Sequence, residues 1–260
     1  MSLNRFVIYT SIVGPYNGLL PQIQFPGVDF VCITDQDFKS NYWKIIQIPP
    51  SKDPARDSRK PKILSHLYLA DYEYSMYVDG NCLVLRNPIP LIEKALEKHS
   101  MAHFDHQNSS DSRNCIYAEH QAILELYKKT GRLKDDPTIM EQQINRFKKE
   151  GFPENIGLIK ATVLIRKHQD PKLIQVMEQW WEMLQTGSKR DQLSFNYVAW
   201  KNQFESLYLQ GDVRNNSYIY MLGAHRKSFR KKYFRYRLKK ILGIIKHPNR
   251  PLEYYIPKPS

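Results

Sequence analysis

Three consecutive residues, Asp79-Gly80-Asn81, follow an apolar segment and have the chemistry of a metal-diphosphate site. Asp79 offers a carboxylate oxygen and Asn81 a carbonyl oxygen, which are ligand types that suit hard cations such as Mg²⁺ and Mn²⁺. Gly80 has no side chain, so a diphosphate could approach the backbone closely there. The same residue types also form ordinary turns between apolar runs, and the triplet alone leaves both interpretations open.

The apolar segment before the triplet, residues 75–78, is predicted to be a buried strand. Other strands are predicted at 5–10, 28–35, 42–48 and 101–104, a hairpin or bent strand at 157–166, and helices at 58–69, 91–97, 117–129, 137–149, 171–184 and 191–201. This alternation predicts an α/β fold with a mixed, mostly parallel sheet flanked by helices. In open sheets of this kind ligands bind beyond the carboxyl ends of the strands, where Asp79 is predicted to lie.

The composition limits the class of protein. The chain has 260 residues, of which 42% are hydrophobic and 12% aromatic, and this supports a packed core. Three widely spaced cysteines indicate neither a disulfide framework nor a CxxC metal site, and they favour a reducing compartment. The sequence has neither a leader-like start nor an apolar run of about 20 residues. We therefore expect a cytoplasmic protein, either dissolved or peripheral on the cytoplasmic face of the membrane.

Basic residues are concentrated near the C-terminus. The net charge is +13, and twelve lysines and arginines between residues 213 and 250, with no acid among them, account for nearly all of it. We expect a domain over residues 1–225 and a basic C-terminal helical tail over residues 226–260. Residues 226–246 predict an amphipathic helix with an apolar face made by Phe234, Leu238, Ile241, Leu242 and Ile245. This pattern predicts either attachment to an anionic membrane surface or packing of that face on the domain.

Several segments, spread over most of the chain, together resemble one family. They are Tyr9-Thr10-Ser11-Ile12, Ile33-Thr34-Asp35, Trp43-Lys44-Ile45, Asp57-Ser58-Arg59, Tyr77-Val78-Asp79-Gly80-Asn81, Cys115-Ile116-Tyr117, Trp180-Trp181 and Arg190-Asp191-Gln192-Leu193-Ser194-Phe195. They resemble the glycosyltransferase-like family of plant mucilage-related proteins and its bacterial relatives. Residues 59–85 are also similar to family 8 glycosyltransferases, although Asn81 stands where those have a second aspartate. The resemblance implies a GT-A fold.

The resemblance also implies roles at the nucleotide end of a site. Tyr9, Thr10 and Asp35 become candidates for contacts with the base and ribose, and Arg59 and Lys62 for neutralising the diphosphate. Tyr9 equally suits the core, and Arg59 and Lys62 equally suit the solvated start of a helix.

The catalytic and metal candidates come from the same comparison. Asp191-Gln192 is similar to the Asp-Gln motif that faces the donor sugar in family 8 enzymes, although Asp191 also suits a helix N-cap. His225 resembles the late histidine that completes the metal site with Asp79 and Asn81, although a surface histidine is the alternative.

We therefore expect a metal-dependent glycosyltransferase that uses Mn²⁺ or Mg²⁺. Its donor would be a nucleotide-diphosphate sugar, a UDP-sugar by resemblance, and its acceptor a glycan or a lipid-linked molecule. One alternative is a module that binds carbohydrate or nucleotide without catalysis, which is consistent with Asn81. The other is a nucleic-acid-binding protein that uses the basic tail, but the nearly neutral remainder of the chain argues against nucleic acid as a partner. His106, Arg113 and Glu119 are polar enough to bind an acceptor, and the sequence assigns them no role.

Overall fold

The computed structural model describes residues 5–15, 18–223, 229–250 and 252–256. Its strands are β1 (Phe6–Ile12), β2 (Val28–Thr34), β3 (Lys44–Gln47), β4 (Tyr74–Val78), β5 (Cys82–Val84), β6 (Met101–Asp105), β7 (Ile159–Lys167), β8 (Leu207–Leu209), β9 (Ile219–Met221) and β10 (Tyr254–Tyr255). Its helices are α1 (Pro54–Asp57), α2 (Arg59–Ile63), α3 (Ile89–Ala95), α4 (Ile116–Thr130), α5 (Pro137–Lys149), α6 (Pro171–Thr186), α7 (Phe195–Lys201) and α8 (Phe229–Ile241). The predicted α/β class is confirmed.

Eight strands form one mixed sheet, in the order β10-β8-β6-β7-β4-β1-β2-β3. The run β4-β1-β2-β3 is parallel, as is the pair β6 and β8, whereas β7 is antiparallel to both of its neighbours. The predicted mixed, mostly parallel sheet is therefore confirmed. Because β7 runs against β4, the end of β4 lies beside the start of β7, and the Asp79 amide donates to the Thr162 carbonyl at 3.0 Å. This pairing brings the Asp79 turn close to Lys160 in space, although the two residues are far apart in the sequence.

The central strand β1 is buried on both faces of the sheet. Val7 and Tyr9 belong to one core cluster, whereas Phe6 and Ile8 belong to the other. Alternate residues of a strand point to opposite faces, so a continuous apolar run suits a strand covered on both sides. Helix α6 lies in the first cluster and helix α3 in the second. The sheet is therefore flanked by helices on both faces.

Two helices begin at the prolines where their starts are predicted, Pro137 and Pro171, and an aspartate caps each of them. The Asp136 carboxylate accepts hydrogen bonds from the backbone amides of the first turn of α5, and Asp170 accepts one from the Leu173 amide at 2.8 Å. Proline fits the first helical position because its missing N–H has no partner there in any helix. The predicted starts at Pro137 and Pro171 are confirmed for this local reason.

Most predicted elements differ from the structure by a few residues at their ends, but three differ in kind. Of the two alternatives predicted for residues 157–166, the hairpin is wrong, because β7 is a single strand over Ile159–Lys167. The helix predicted over 191–201 is divided at Ser194 into a 3-10 turn, Asp191–Leu193, and α7. The helix predicted over 58–69 ends at Ile63, where Arg166 donates hydrogen bonds to the carbonyls of the last two α2 residues. A long-range donor thus takes over carbonyls that a longer helix would satisfy itself.

The C-terminal part of the chain contacts the rest of the molecule. Strand β10 pairs with β8 at the edge of the large sheet, and Tyr236 of α8 stacks on Tyr220 with ring centroids 4.8 Å apart. Within the part of the chain that the structure describes, no helix combines the length and apolar character that a membrane crossing needs.

Candidate active site

A cleft of about 410 Å³ opens at the carboxyl end of β4. Its walls come from β1, α2, the turn after β4, the start of β7, the Asp191 turn and the segment before β9, and they include Ser11, Ile12, Ser58, Arg59, Lys62, Tyr77, Asp79, Gly80, Lys160, Ala161, Thr162, Arg190, Asp191, Gln192, Arg214 and Met221. Five of the residues predicted from the sequence, Arg59, Lys62, Asp79, Asp191 and Gln192, meet here. Five cations but only two carboxylates line the cleft, so it favours an anionic ligand.

Asp79 lies directly after β4, at the position that its sequence pattern predicts. One of its carboxylate oxygens accepts a hydrogen bond from the Tyr77 hydroxyl at 3.0 Å, and its side chain remains 31% exposed. Burial and the neighbouring Asp79 charge raise the pKa of Tyr77 well above its usual value, so the phenol keeps its proton and acts as a donor. This hydrogen bond orients the carboxylate while leaving it accessible from the cleft.

Lys62 and Asp191 form a buried ion pair across the cleft wall. The Lys62 Nζ lies 2.7 Å from an Asp191 oxygen and 3.9 Å from an Asp79 oxygen. Burial alone would raise the pKa of the Asp191 carboxyl, but the positive charges of Lys62, Arg59 and Arg190 outweigh this and hold its pKa well below the usual range. Asp191 is therefore a permanent carboxylate whose side chain serves Lys62 rather than the N-cap of a helix.

Tyr9 lies beneath the cleft and does not face it. Its side chain is fully buried, and its hydroxyl donates to the Lys62 carbonyl at 2.9 Å while accepting a hydrogen bond from Arg166. Arg166 also donates to the Lys62 carbonyl at 2.7 Å and is itself 1% exposed. These two side chains fix the backbone that carries Lys62. Thr10 is equally buried, so neither predicted nucleotide contact is available to the cleft as a side chain in this conformation.

Two arginines of the cleft have guanidinium groups that are incompletely paired. Among the described residues, the buried Nε atoms of Arg59 and Arg190 have no hydrogen-bond partner. Arg59 otherwise donates to the Ala55 carbonyl, and Arg190 lies 3.4 Å from the Gln192 side-chain oxygen and 3.6 Å from Glu119. A buried donor without a partner is costly, and an anionic ligand in the cleft would supply one.

A charged network forms the far wall of the cleft, on the β7 side. Lys160 and Arg214 both approach Asp111, at 3.6 and 2.8 Å, and Arg113 approaches it at 3.1 Å. Burial, together with Lys160 and Arg113, lowers the pKa of His106 to about 4, so its imidazole is neutral at pH 7 and accepts from both cations. The sequence analysis did not assign Lys160, Arg190 or Arg214 to the site. Lys160 could have been found from the sequence because it interrupts the apolar run of β7, and Arg190 because it directly precedes Asp191-Gln192. Nothing in the sequence marks Arg214.

Of the remaining predicted residues, the two that the structure describes, Asp35 and Asn81, lie outside the cleft lining. Asp35 follows β2, and its carboxylate accepts from the Gly14 amide at 2.9 Å, which fixes the loop after β1. Asn81 is 5% exposed, and its amide donates to the Gly223 carbonyl at 2.8 Å. His225 lies outside the described residues. The structure therefore describes only part of the metal site predicted from Asp79, Asn81 and His225.

The donor chemistry of these residues fits a hard divalent cation. Asp79 presents a carboxylate to the cleft. The hydrogen bond from Asn81 to the carbonyl of Gly223, which is two residues before His225 in the sequence, holds Gly223 against the Asp79 turn. Carboxylate, amide oxygen and imidazole are all ligands of Mn²⁺ in proteins. Within the described ranges, no three or more His, Cys, Asp or Glu side chains are grouped to hold a metal. A complete site at Asp79 would thus need a ligand from the segment that follows Gly223, or from the substrate.

Solved glycosyltransferases align with this chain at low similarity. Mouse xyloside xylosyltransferase 1 is 11% identical and covers 76% of this chain and 81% of its own, with a TM-score of 0.40. The galactosyltransferase LgtC, solved with donor and acceptor sugar analogues, is 13% identical. The alignment covers 74% of this chain and 70% of LgtC, with a TM-score of 0.38. At these scores neither alignment carries an argument about the site, and the fold assignment depends on the sheet described above.

Sequence comparison is more specific. The chain is 23% identical over 197 residues to the probable hexosyltransferase MUCI70 of Arabidopsis thaliana, a match that covers 70% of this chain but only 32% of the plant protein. The chain thus corresponds to about a third of that relative. The model of the TOD1/MUCI70 glycosyltransferase-like domain matches residues 31–221, which include β4, Asp79, β7 and the Asp191 turn. This match covers well over half of the chain, and the chain therefore belongs to the TOD1/MUCI70 family of glycosyltransferase-like domains.

Proposed function

We propose that this protein is a glycosyltransferase that takes a sugar from a nucleotide-diphosphate sugar, with a UDP-sugar as the favoured donor, and uses Mn²⁺ or Mg²⁺. Its acceptor would be a glycan or a lipid-linked molecule, at the cytoplasmic face of a membrane. The observation that carries the proposal is a single cleft in which Asp79, at the end of β4, faces Arg59, Lys62 and Arg190. Fixed cations around one accessible carboxylate are suited to a diphosphate with its counter-ion.

The diphosphate would bind between the two arginines with unpaired Nε groups and Lys62. In the transfer, the bond between the sugar C1 and the diphosphate oxygen breaks and its electron pair stays on the diphosphate. The acceptor hydroxyl oxygen bonds to C1, and its proton passes to an oxygen of the leaving diphosphate or to water. Negative charge therefore develops on the leaving group, which cations already held in place stabilise without reorganising. Lys62 meets this condition because Asp191 holds its ammonium while Tyr9 and Arg166 hold its backbone carbonyl.

A bound divalent metal would add positive charge at the leaving diphosphate, held by Asp79, Asn81 and His225. Gln192 would meet the donor sugar. Its amide nitrogen donates to the Ile159 carbonyl at 2.9 Å, and its oxygen faces Arg190, so the side chain has a defined orientation at the cleft wall. Asp191 would act through Lys62, since its carboxylate is already paired.

The direct test is a thermal-shift screen of the full chain with nucleoside diphosphates and nucleotide sugars, each with Mn²⁺ or with a chelator. A ligand that binds only the folded state raises the apparent unfolding temperature. We expect a Mn²⁺-dependent shift with at least one uridine diphosphate compound, and its loss in Arg59→Gln/Arg190→Gln, which leaves the buried Lys62–Asp191 pair in place. Lys44→Gln, which removes a lysine with a 63% exposed side chain outside the cleft lining, is the matched control.

Turnover separates the enzyme from a binding module. Incubation of a bound donor in water, with release of the free nucleoside diphosphate measured, should show slow metal-dependent hydrolysis that Asp79→Asn abolishes. Binding without hydrolysis, and without transfer to any glycan or lipid-linked acceptor, would instead indicate a module that binds the nucleotide or sugar. No shift with any nucleotide would overturn the proposal.

A further inference from the structure

Helix α8 has two apolar faces, and only one of them packs against the part of the protein that the structure describes. On the inner face Phe229 and Tyr236 are 2% and 7% exposed and pack with Leu20 and Leu83. The Tyr236 hydroxyl also lies 3.0 Å from a ring nitrogen of His247. The helix is thus fixed to the domain through this tyrosine-containing face.

The second face points away from the domain. Phe234, Leu238, Ile241 and Leu242 are 68%, 47%, 78% and 62% exposed. Their spacing of four, seven and eight residues from Phe234 places them on one side of a helix, roughly opposite Tyr236. We call these four residues the outer stripe. The alternative to membrane attachment, in which Phe234, Leu238 and Ile241 pack on the domain, is wrong, because Phe229 and Tyr236 make that contact instead. Ile245 is partly buried against the inner cluster and does not belong to the stripe.

Cations border the outer stripe on both sides. Helix α8 carries seven lysines and arginines and no acid. With about 100° between successive residues, Arg230 and Arg237 lie along one side of the stripe, and Lys231, Arg235 and Lys239 along the other. Phe234 lies in a shallow depression formed with Arg230, Lys231 and Arg235. The surface therefore combines exposed apolar side chains with an unbalanced positive charge.

We infer that the outer stripe and its bordering cations attach this protein to an anionic phospholipid surface. Large exposed side chains in a contiguous row are unfavourable in water and indicate an interaction surface. A nucleic acid would pair with the cations but leave the stripe in water, whereas a lipid interface accepts both, with the stripe among the acyl chains and the cations at the headgroups. The inner face remains docked, so attachment needs no rearrangement of the domain. The inference concerns attachment and does not depend on glycosyl transfer.

The test is co-sedimentation of the full chain with vesicles of phosphatidylcholine alone and of phosphatidylcholine with phosphatidylglycerol, at low and high salt. We expect binding to the anionic vesicles only, and its weakening by salt, because the attraction is screened over about 10 Å at 0.1 M ionic strength. The variant Phe234→Ser/Ile241→Ser should reduce the affinity by about tenfold or more, since two apolar side chains no longer insert. Its fold should not change, because these side chains face solvent.

Matched controls distinguish specific membrane attachment from nonspecific hydrophobic adsorption. Leu133→Ser/Ile139→Ser removes two side chains that are 50% and 38% exposed elsewhere on the surface, and it should bind vesicles like the unaltered chain. Arg230→Gln/Arg237→Gln should weaken binding and lower its salt dependence. Equal binding to neutral vesicles, no binding to either vesicle, or unaltered binding by the stripe variant would overturn the inference. So would a salt-sensitive shift of duplex DNA, or dimer formation through the stripe, in place of vesicle binding.

Discussion

Lys62 and Asp191 are 129 residues apart in the chain, yet the Lys62 ammonium lies 2.7 Å from the Asp191 carboxylate, and both side chains are only 8% exposed. Each ion neutralises the other in a place where neither is solvated well. Lys62 also lies 3.9 Å from Asp79. The pair therefore connects α2, the end of β4 and the Asp191 turn at one point of the cleft.

Removal of one member of this pair should destabilise the fold strongly. We expect Lys62→Met to lower the free energy of unfolding by about 3 kcal/mol, because it leaves a buried carboxylate without its nearest cation. Lys62→Met/Asp191→Asn should lose less than the sum of the two single changes. Urea denaturation measures these values. Lys44→Met, which breaks an equally short ion pair with Asp29 on an exposed side chain, should cost less than about 1 kcal/mol, and an equal cost in both would contradict the argument.

Asp79→Asn should remove the effect of metal on donor binding without unfolding the protein. The asparagine can still accept from the Tyr77 hydroxyl, and the side chain is partly exposed, so we expect little change in stability. Titration calorimetry with UDP should show no gain in affinity from Mn²⁺. Asn81→Ala removes a neutral oxygen ligand together with the hydrogen bond to the Gly223 carbonyl, and because no charge is lost it should weaken the metal effect less than Asp79→Asn does. A metal effect that survives in Asp79→Asn would place the site elsewhere.

Gln192→Ala should slow transfer more than it weakens nucleotide binding. The side chain lies at the cleft wall through its hydrogen bond to the Ile159 carbonyl, and we expect it to face the sugar and not the diphosphate. One lost hydrogen bond of about 1.4 kcal/mol in the transition state corresponds to about tenfold in kcat. The dissociation constant of UDP, measured separately, should change little. A variant that loses UDP affinity while retaining kcat would show that Gln192 contacts the nucleotide instead.

His103 should make the fold sensitive to mild acid. Its Nδ1 donates to the Phe104 carbonyl, its Nε2 accepts from the Ser206 hydroxyl, and burial lowers its pKa to about 4. Because the unfolded chain takes up a proton near pH 6.5 and the folded chain only near pH 4, stability is full above pH 6.5 and falls as the pH drops through this interval. The largest loss from this residue is about 3 kcal/mol.

Urea denaturation between pH 7.5 and 4.5 measures this slope. His103→Gln should flatten it relative to the unaltered chain, even if the variant is less stable overall. Burial also lowers the pKa of His106 to about 4 and that of His168 to about 3, so part of the slope should remain. His99→Gln, on the partly exposed loop after α3, is the control. An unchanged slope in His103→Gln would exclude His103 as a cause of acid sensitivity.

Much of the site and fold follows from local sequence features. Asp79-Gly80-Asn81 after an apolar run predicts a polar turn at a strand end, and the predicted helix starts at Pro137 and Pro171 hold in the structure. Both features are local, because helix capping and strand periodicity involve neighbours in the chain. The segments that indicate the family can also be recognised in the sequence without any tertiary information. The order of the strands and the contact between Lys62 and Asp191 do not follow from local features, because they depend on how β7 and α6 pack against β1 and β4.

Tertiary packing also decided which way the predicted side chains face. Tyr9 is one of several buried positions of β1, and only the presence of Arg166 and the Lys62 carbonyl beneath the cleft turns its hydroxyl into a support for α2. Both sides of α8 are apolar enough to pack, and the stacking of Tyr236 on Tyr220 selects the inner one. The sequence alone determined the residue types and their local periods. Which partner each side chain meets was decided by long-range contacts, because their energies depend on burial and on neighbours that no short segment contains.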